Sequence, residues 1–357
     1  MAAHLRTWIE HWKGWAGDSL GFISVFAGGG TPGLFTHEWR QIMPLIQGRL
    51  TPGAEVSLEA NPGNISAESL QVWKDVGFNR LSLGVQTFDA GGLQCLTRDH
   101  SAEEADVAIR LALLTFPNLN IDLIYGWPGQ TEDLWRADLK RAVELGVPHL
   151  SLYNLTYESS TTMGRRAGRG LVERAAPEHE ARLYEIACEV LADEGYDQEE
   201  VSNWSKPGYS CAHNWLYWRG EPFLGVGAGA HGFLPIGPWG LRYQYPKNDR
   251  AFVREGVPNI LNLESHPGVI EIDNRDGEAW LLERIGSGLR TREGLPLDQL
   301  LDVSQHQWQP TGIVERGLRE GLLTLHQGVL QLTPAEWFRE TAWATAISCS
   351  LVPKTRR

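Results

Sequence analysis

The sequence predicts an α/β protein whose strands and helices alternate on a parallel sheet, and three observations carry that expectation. Short apolar, β-branched runs begin at Phe22, Val56, Arg80, Leu119, His149 and, more weakly, Asp197. They recur at intervals of 24 to 48 residues, the rhythm of strand–helix–strand units. Polar residues stand where each run ends, which is where barrels and doubly wound sheets assemble their sites.

The first run, FISVFA, leads directly into Gly28, Gly29, Gly30, Thr31 and Pro32. Gly28, Gly30 and Gly33 match the G-x-G-x-x-G spacing, yet the Lys of a P-loop is absent. Pro32 fixes its own φ and pushes Thr31 towards extended geometry, so the helix is expected to start later, at Thr36. What remains is a strand end whose bare main chain lets a ligand approach closely. With Glu59 at the neighbouring strand end, that arrangement suits ammonium or hydroxyl groups better than a pyrophosphate. A dinucleotide-dependent dehydrogenase is therefore the least favoured reading.

The second run delivers Glu59 and Asn61, the third Gln86, and the fourth Asp122 and Tyr125. The fifth delivers Tyr153, Asn154 and Thr156, and the sixth Glu199, Ser202 and Asn203. Between the runs, Thr36, Ser66, Ser101 and Thr131 are expected N-caps, with Ser101 and Glu104 forming a capping box. Past residue 265 the rhythm changes to helical segments and a hairpin turning at His326, Gln327 and Gly328. This suggests a small winged-helix-like domain, and without a basic stripe it reads as a docking or capping module rather than a DNA reader.

Composition narrows the classes. With 42% hydrophobic and 21% charged residues the chain is globular, and its net charge of -12 argues against nucleic acid or an anionic membrane as partner. No apolar run reaches the ~20 residues of a membrane span. Cys95, Cys188, Cys211 and Cys349 are widely separated and form no C-x-x-C pair, which fits a reducing cytoplasm.

Taken together, AGGGTPGLF, SLEANPGNIS, GFNRLSLGVQTFD, LNIDLIYGWPGQT, LSLYNLT, HNWLYW and GVGAGAHGF closely resemble the oxygen-independent coproporphyrinogen III oxidase family of radical S-adenosylmethionine (SAM) proteins. Within it they resemble the HemW-type heme chaperone branch. The resemblance runs from about residue 20 to the C-terminus, with the phrases in the family's order. It implies a partial TIM-type (β/α) barrel that holds S-adenosylmethionine across its C-terminal face. Gly30 and Thr31 would then meet the methionine end. Glu59, Gln86, Arg98 and Asp122 would hold polar groups, the main chain at Thr156 would lie near the adenine, and Gly28, Gly29 and Asn61 are counted with them as cofactor-binding. Arg98 enters only through the resemblance; on its own it reads as a solvated arginine at a helix end.

The family also uses a 4Fe-4S iron–sulfur cluster on a C-x3-C-x2-C loop, whose three thiolates leave one iron open. No cysteine precedes Cys95 here. The expectation is a gene start placed too far downstream, the alternative a cluster-free relative. A second constellation, CAHNWLYWRGEPFLGVGAGAHGF, offers the imidazoles of His213 and His231 to a heme iron. Tyr217 and Trp218, with Trp215, would contact the macrocycle, and Cys211 is a weaker candidate contact. The expected domains are a remnant N-terminal helix at 1–21, a barrel with the H-N-x-x-Y-W segment at 22–264, and the winged-helix-like module at 265–357. The favoured function is a cytoplasmic heme chaperone that hands heme to acceptor proteins. The alternative is an enzyme, coproporphyrinogen III dehydrogenase acting through a deoxyadenosyl radical. No catalytic residue is assigned.

Overall fold

The structure, a computed structural model, describes residues 5–7, 9–10, 21–159, 161–255, 271–274, 277–310 and 312–353. Most of the expected helix at 1–21 and the expected boundary at 264/265 lie outside them. The chain forms two compact units, one of residues 24–39 and 53–211, the other of 1–23, 40–52 and 212–357.

The sheet is built in chain order from β1 (Phe22–Ala27), α1 (Trp39–Gln47), β2 (Leu50–Ala60), α2 (Ala67–Asp75), β3 (Arg80–Gln86), α3 (Ala90–Cys95), α4 (Ala102–Thr115), β4 (Leu119–Tyr125), α5 (Glu132–Glu144), β5 (His149–Asn154), α6 (Thr162–Gly168), α7 (Pro177–Asp193), β6 (Asp197–Glu200) and β7 (Asn203–Ser205). Its seven strands lie in the order β1-β2-β3-β4-β5-β7-β6. Pairing from β2 to β5 is parallel. The first five strands follow sequence order with no reversal, so the switch point of a doubly wound sheet is missing and the α/β fold is a curled half-barrel.

Period-two alternation explains why both faces of the sheet are covered. Leu58, Leu81, Leu83, Ile121, Leu123 and Leu150 are fully buried. Their neighbours Ser57, Ser82, Asn120 and Ser151 are buried too, and hydrogen bonds between Ser82, Asn120 and Ser151 show that they share one face. The barrel interior is thus a polar layer, and the apolar layer lies on the opposite face.

Three of the four expected N-caps hold. Ser66 Oγ accepts from Ser69 N at 3.0 Å, and Thr131 Oγ1 from Leu134 N at 3.2 Å. Ser101 and Glu104 close their capping box at 3.1 and 2.8 Å. Thr36 does not cap. Its hydroxyl donates to Gly33 O at 3.3 Å across a short 3-10 turn at Pro32–Leu34, and the α-helix starts at Trp39. The sixth parallel strand also needs correction. Residues 197–205 fold back as a hairpin, because β7 pairs antiparallel with both β5 and β6. Leu152 N, bonded to Ser202 O at 2.8 Å, anchors that reversal.

The second unit carries α8 (Ala212–Arg219), β8 (His231–Leu234), β9 (Leu241–Gln244), α9 (Asp249–Glu255), β10 (Glu271–Asn274), α10 (Gly277–Leu289), β11 (Leu295–Pro296), α11 (Leu297–Ser304), β12 (His306–Trp308), α12 (Ile313–Glu320), β13 (Leu323–His326), β14 (Val329–Leu332), α13 (Glu340–Ser348) and β15 (Leu351–Pro353). Leu234, Leu241, Tyr243, Tyr245 and Phe252 form one of its cores. The expected hairpin is present as β13 and β14, joined by the two-residue turn Gln327-Gly328 with positive φ at both positions.

Candidate functional site

The site begins where β1 ends. Gly29 and Gly30 adopt φ of +81° and +79°, a region that penalises any side chain. In that conformation Gly29 N–H turns back on the neighbouring strand and donates to Glu59 Oε2 at 3.0 Å. Burial pushes the Glu59 carboxyl up from its ordinary range, and the Gly29 N–H pulls it back. Gly33, just beyond, is buried against the end of β2. A Cβ there would sit 2.8 Å from Ala60 Cβ and 3.3 Å from Glu59 O. Gly33→Ala should therefore destabilise the fold by about 1–3 kcal/mol, read as a lowered urea midpoint.

Sheet register carries the site across to β4. Glu59 lies beside Ser82, and Gly84 beside Asp122. Asp122 Oδ1 accepts from Asn120 Nδ2 at 2.8 Å. Its pKa is pushed up to about 7, first by burial and then by the charge of Glu59, against the pull of Asn120, Ser151 and Ser82. Glu59 and Asp122 are therefore close enough to sense each other's charge, and a cation placed between them would be welcome to both.

Gln86 stands at a bulge in β3, buried, with φ of 72°. Its amide Nε2 lies 2.8 Å from where a Gly84 Cβ would be, and Asn61 Oδ1 lies 3.0 Å from the same point. Asn61 Nδ2 in turn donates to Thr31 Oγ1 at 3.4 Å. Arg98 follows α3, tied by its N–H to Leu93 O at 2.9 Å. Burial lowers its pKa while Asp122 and Asp99 raise it, and its Nε is buried with no hydrogen-bond partner. It is thus not a solvated arginine at a helix end.

The structure accordingly places Gly28–Thr31, Glu59, Asn61 and Gln86 at the C-terminal ends of β1, β2 and β3, Asp122 midway along β4, and Arg98 beyond the end of α3. Thr156 is exposed beyond the end of β5. His213, Tyr217, Trp218 and His231 belong to the second unit. On α8, His213 Nε2 and the Tyr217 hydroxyl are 2.9 Å apart, one helical turn from each other. Tyr217 also stacks edge-on with Phe223, and the Arg290 guanidinium lies 4.0 Å above the Trp218 ring. His231 is exposed at the start of β8.

The sequence reading missed the layer beneath the site. Asn120 bonds Ser82 at 2.7 Å, Ser151 at 3.1 Å and His149 Nδ1 at 2.6 Å, and Ser151 bonds Asn203 at 2.8 Å. The signal was present as polar residues at every second position of otherwise apolar strands, in RLSLG, LNID and HLSLY.

None of Cys95, Cys188, Cys211 and Cys349 forms a disulfide. Among the described residues no group of three His, Cys, Asp or Glu side chains could hold a metal ion. The described residues therefore do not fit an iron–sulfur cluster. They do fit an adenosyl sulfonium ligand: the Gly29–Gly30 turn is open, Glu59 and Asp122 feel each other's charge, and the buried Arg98 Nε has no hydrogen-bond partner.

Fold and site together define a radical SAM half-barrel, and the model of the Radical SAM superfamily matches residues 13–142. The coproporphyrinogen III oxidase of Escherichia coli, a radical SAM enzyme, superposes with a TM-score of 0.73 over 98% of this chain and 81% of its own, at 20% identity, a likeness of fold. The heme chaperone HemW of Mycobacterium tuberculosis is 34% identical over 87% of this chain and 76% of its own length. That of Lactococcus lactis is 36% identical over 68% of this chain. The chain belongs to the HemW family. It spans 63% of the Lactococcus relative's length and 61% of the length of HemW from Escherichia coli.

Proposed function

We propose that this protein is a heme chaperone that binds heme on its second unit and S-adenosylmethionine on its half-barrel, and passes heme to acceptor proteins in the cytoplasm. The observation that carries the heme reading is the face of α8. There the half-buried His213 imidazole meets the Tyr217 hydroxyl at 2.9 Å, with Trp218 on the next position. That places a nitrogen donor beside aromatic surface, the pairing a porphyrin iron and its macrocycle require. His231 is the second candidate ligand. The family membership supports the reading, since the curated relatives are named heme chaperones.

On the half-barrel, S-adenosylmethionine supplies a sulfonium cation and an adenosyl group when bound. Glu59 and Asp122 would attract that cation and accept hydrogen bonds from the hydroxyls of the adenosyl group. Arg98 and Gln86 orient its polar ends, and Gly28, Gly29, Gly30 and Thr31 leave room for the methionine end. Asn61 holds Thr31 in place, and the exposed main chain at Thr156 would border the adenine. No helix among the described residues is long and apolar enough to cross a membrane, which accords with work in the cytoplasm. The C-terminal segment from 265 on serves as a docking or capping module in this reading.

The test is a hemin titration followed at the Soret band. His213→Ala should shift the band and weaken binding about tenfold or more, the worth of an axial bond plus its hydrogen-bonded setting. Unchanged spectra and affinity in both His213→Ala and His231→Ala would remove the heme reading.

A further inference from the structure

We propose that Asp138, on helix α5, is a positioning residue of the S-adenosylmethionine site: its buried carboxylate clamps the loop after β3 and so sets Gln86 and Arg98. The proposal rests on the S-adenosylmethionine reading above and goes beyond it by naming a residue outside the ligand's own contacts. By its type Asp138 is one more charge on an amphipathic helix. The structure puts it on the apolar face instead. Trp135, Asp138, Leu139 and Ala142 form the buried stripe of α5, and Asp138 is 2% exposed. A carboxylate in such a stripe costs stability unless it is hydrogen-bonded, so its partners decide its role.

Both partners lie in the loop between β3 and α3. Asp138 Oδ2 accepts from Thr87 Oγ1 at 2.7 Å, and its Oδ1 from Phe88 N at 2.8 Å. Burial pushes the carboxyl up to about 6, against the pull of these two donors, so at pH 8 it is ionised and accepts from both. Two chains of contact run from this clamp to the site. The first is short. Gln86, immediately before Thr87, holds a φ of 72°, a left-handed backbone that a residue with a Cβ keeps only where its surroundings fix it. Thr87 fixes it from the following side. It is fully buried, its N–H donates to Val85 O at 3.0 Å, and its hydroxyl is spent on Asp138. The second chain runs through α3. Asp89 N–H donates to Thr87 Oγ1 at 3.1 Å, and Asp89 Oδ1 caps the helix by accepting from Gly92 N at 2.7 Å. Gly92 packs so tightly on the loop that a Cβ there would come within 2.9 Å of Thr87 Cγ2. Leu93 follows, and its carbonyl accepts from Arg98 N–H at 2.9 Å. One carboxylate on α5 thus fixes the residue before the loop directly and Arg98 through the helix.

The test is a calorimetric titration of the full chain with S-adenosylmethionine at pH 8, each variant first shown to fold by its melting curve. Asp138→Asn keeps the shape and one oxygen but cannot accept both bonds, and should weaken binding about threefold to tenfold. Asp133→Asn, the same change at an exposed position of α5, should bind as wild type does. A merely structural loss would cost the same factor in every background. Positioning acts through Gln86 and Arg98, so in Gln86→Ala and in Arg98→Ala the penalty of Asp138→Asn should shrink by about twofold or more. In Glu59→Gln, on a strand the clamp does not hold, the penalty should keep its full size. Thr87→Val removes the hydroxyl and should behave as Asp138→Asn does, whereas Thr87→Ser keeps it and should bind close to wild type. That pair carries the test if Asp138→Asn does not fold. Wild-type protein that binds no S-adenosylmethionine would end that reading and this proposal together. Tight wild-type binding that Asp138→Asn and Thr87→Val leave unchanged, or weaken by one factor in all three backgrounds, would overturn this proposal alone.

Discussion

Asp122→Asn is expected to stabilise the ligand-free protein at pH 8 and at the same time to cripple its grip on S-adenosylmethionine. The sign follows from the proton balance. The Asp122 carboxyl titrates near 7 in the folded chain against 3.8 when unfolded. Between those values the native state keeps a proton that the unfolded chain has released. Stability therefore falls as pH rises from about 4 to 7, and the full cost of the buried charge is present above 7. That cost is on the order of 2–4 kcal/mol. Asparagine fills the same space, still accepts from Asn120 Nδ2, and carries no charge. Its melting temperature should exceed that of wild type by several degrees at pH 8, and the two should converge near pH 4. In binding, a cationic ligand favours the ionised carboxylate, so wild-type affinity should climb as pH passes 7. Asp122→Asn should lose that climb along with about tenfold in affinity at pH 8. A calorimetric titration at pH 6 and pH 8 reads both effects. An affinity that does not change with pH in wild type would show that Asp122 does not face the ligand.

The second large effect is expected at Asn120, which is 3% exposed at the hub of the polar interior. Its Nδ2 donates to Ser82 Oγ at 2.7 Å and to Asp122 Oδ1 at 2.8 Å. Its Oδ1 accepts from His149 Nδ1–H at 2.6 Å and from Ser151 Oγ at 3.1 Å. Burial holds the pKa of His149 well below its ordinary value, so the ring is neutral and needs that acceptor. Asn120→Ala leaves His149, Ser151 and Asp122 each short of a partner in a place water does not reach. The loss should be about 3–5 kcal/mol, more than a single exposed hydrogen bond is worth because each buried group left alone carries its own desolvation cost. Urea denaturation measures it directly. Asn120→Asp should be worse at pH 8 than at pH 5, since it sets a second carboxylate against Asp122. A change under 1 kcal/mol in the alanine variant would mean that the interior network is not what holds Asp122.

Much of this was legible in the primary structure. The strands FISVFA, RLSLGVQ and LNIDLIY were recognisable from their β-branched and apolar composition, and Ser66, Ser101 and Thr131 from their capping chemistry, because both signals are local. The residues at strand ends were legible for the same reason, since a strand's last positions are fixed by where its apolar run stops. Arg98 was a different case. It sits outside any strand, and only the packing that buries its Nε near Asp122 separates it from an ordinary surface arginine. The fold-back at 197–205 was likewise invisible, because a four-residue strand reads the same in either direction and only its pairing with β5 decides.

By itself, then, the chain of residues determined which segments become strands and helices, which polar groups crown the strands, and that Gly29 and Gly30 leave a gap between them. Tertiary structure alone decided that Glu59 and Asp122 share a charge field, that Asn120 ties four strand residues into one network, and that the Arg98 Nε is buried near Asp122. The physical reason is one of range. Dihedral preference and capping act over a few residues, whereas burial and electrostatic coupling depend on what the fold places within a few ångströms, however distant in sequence.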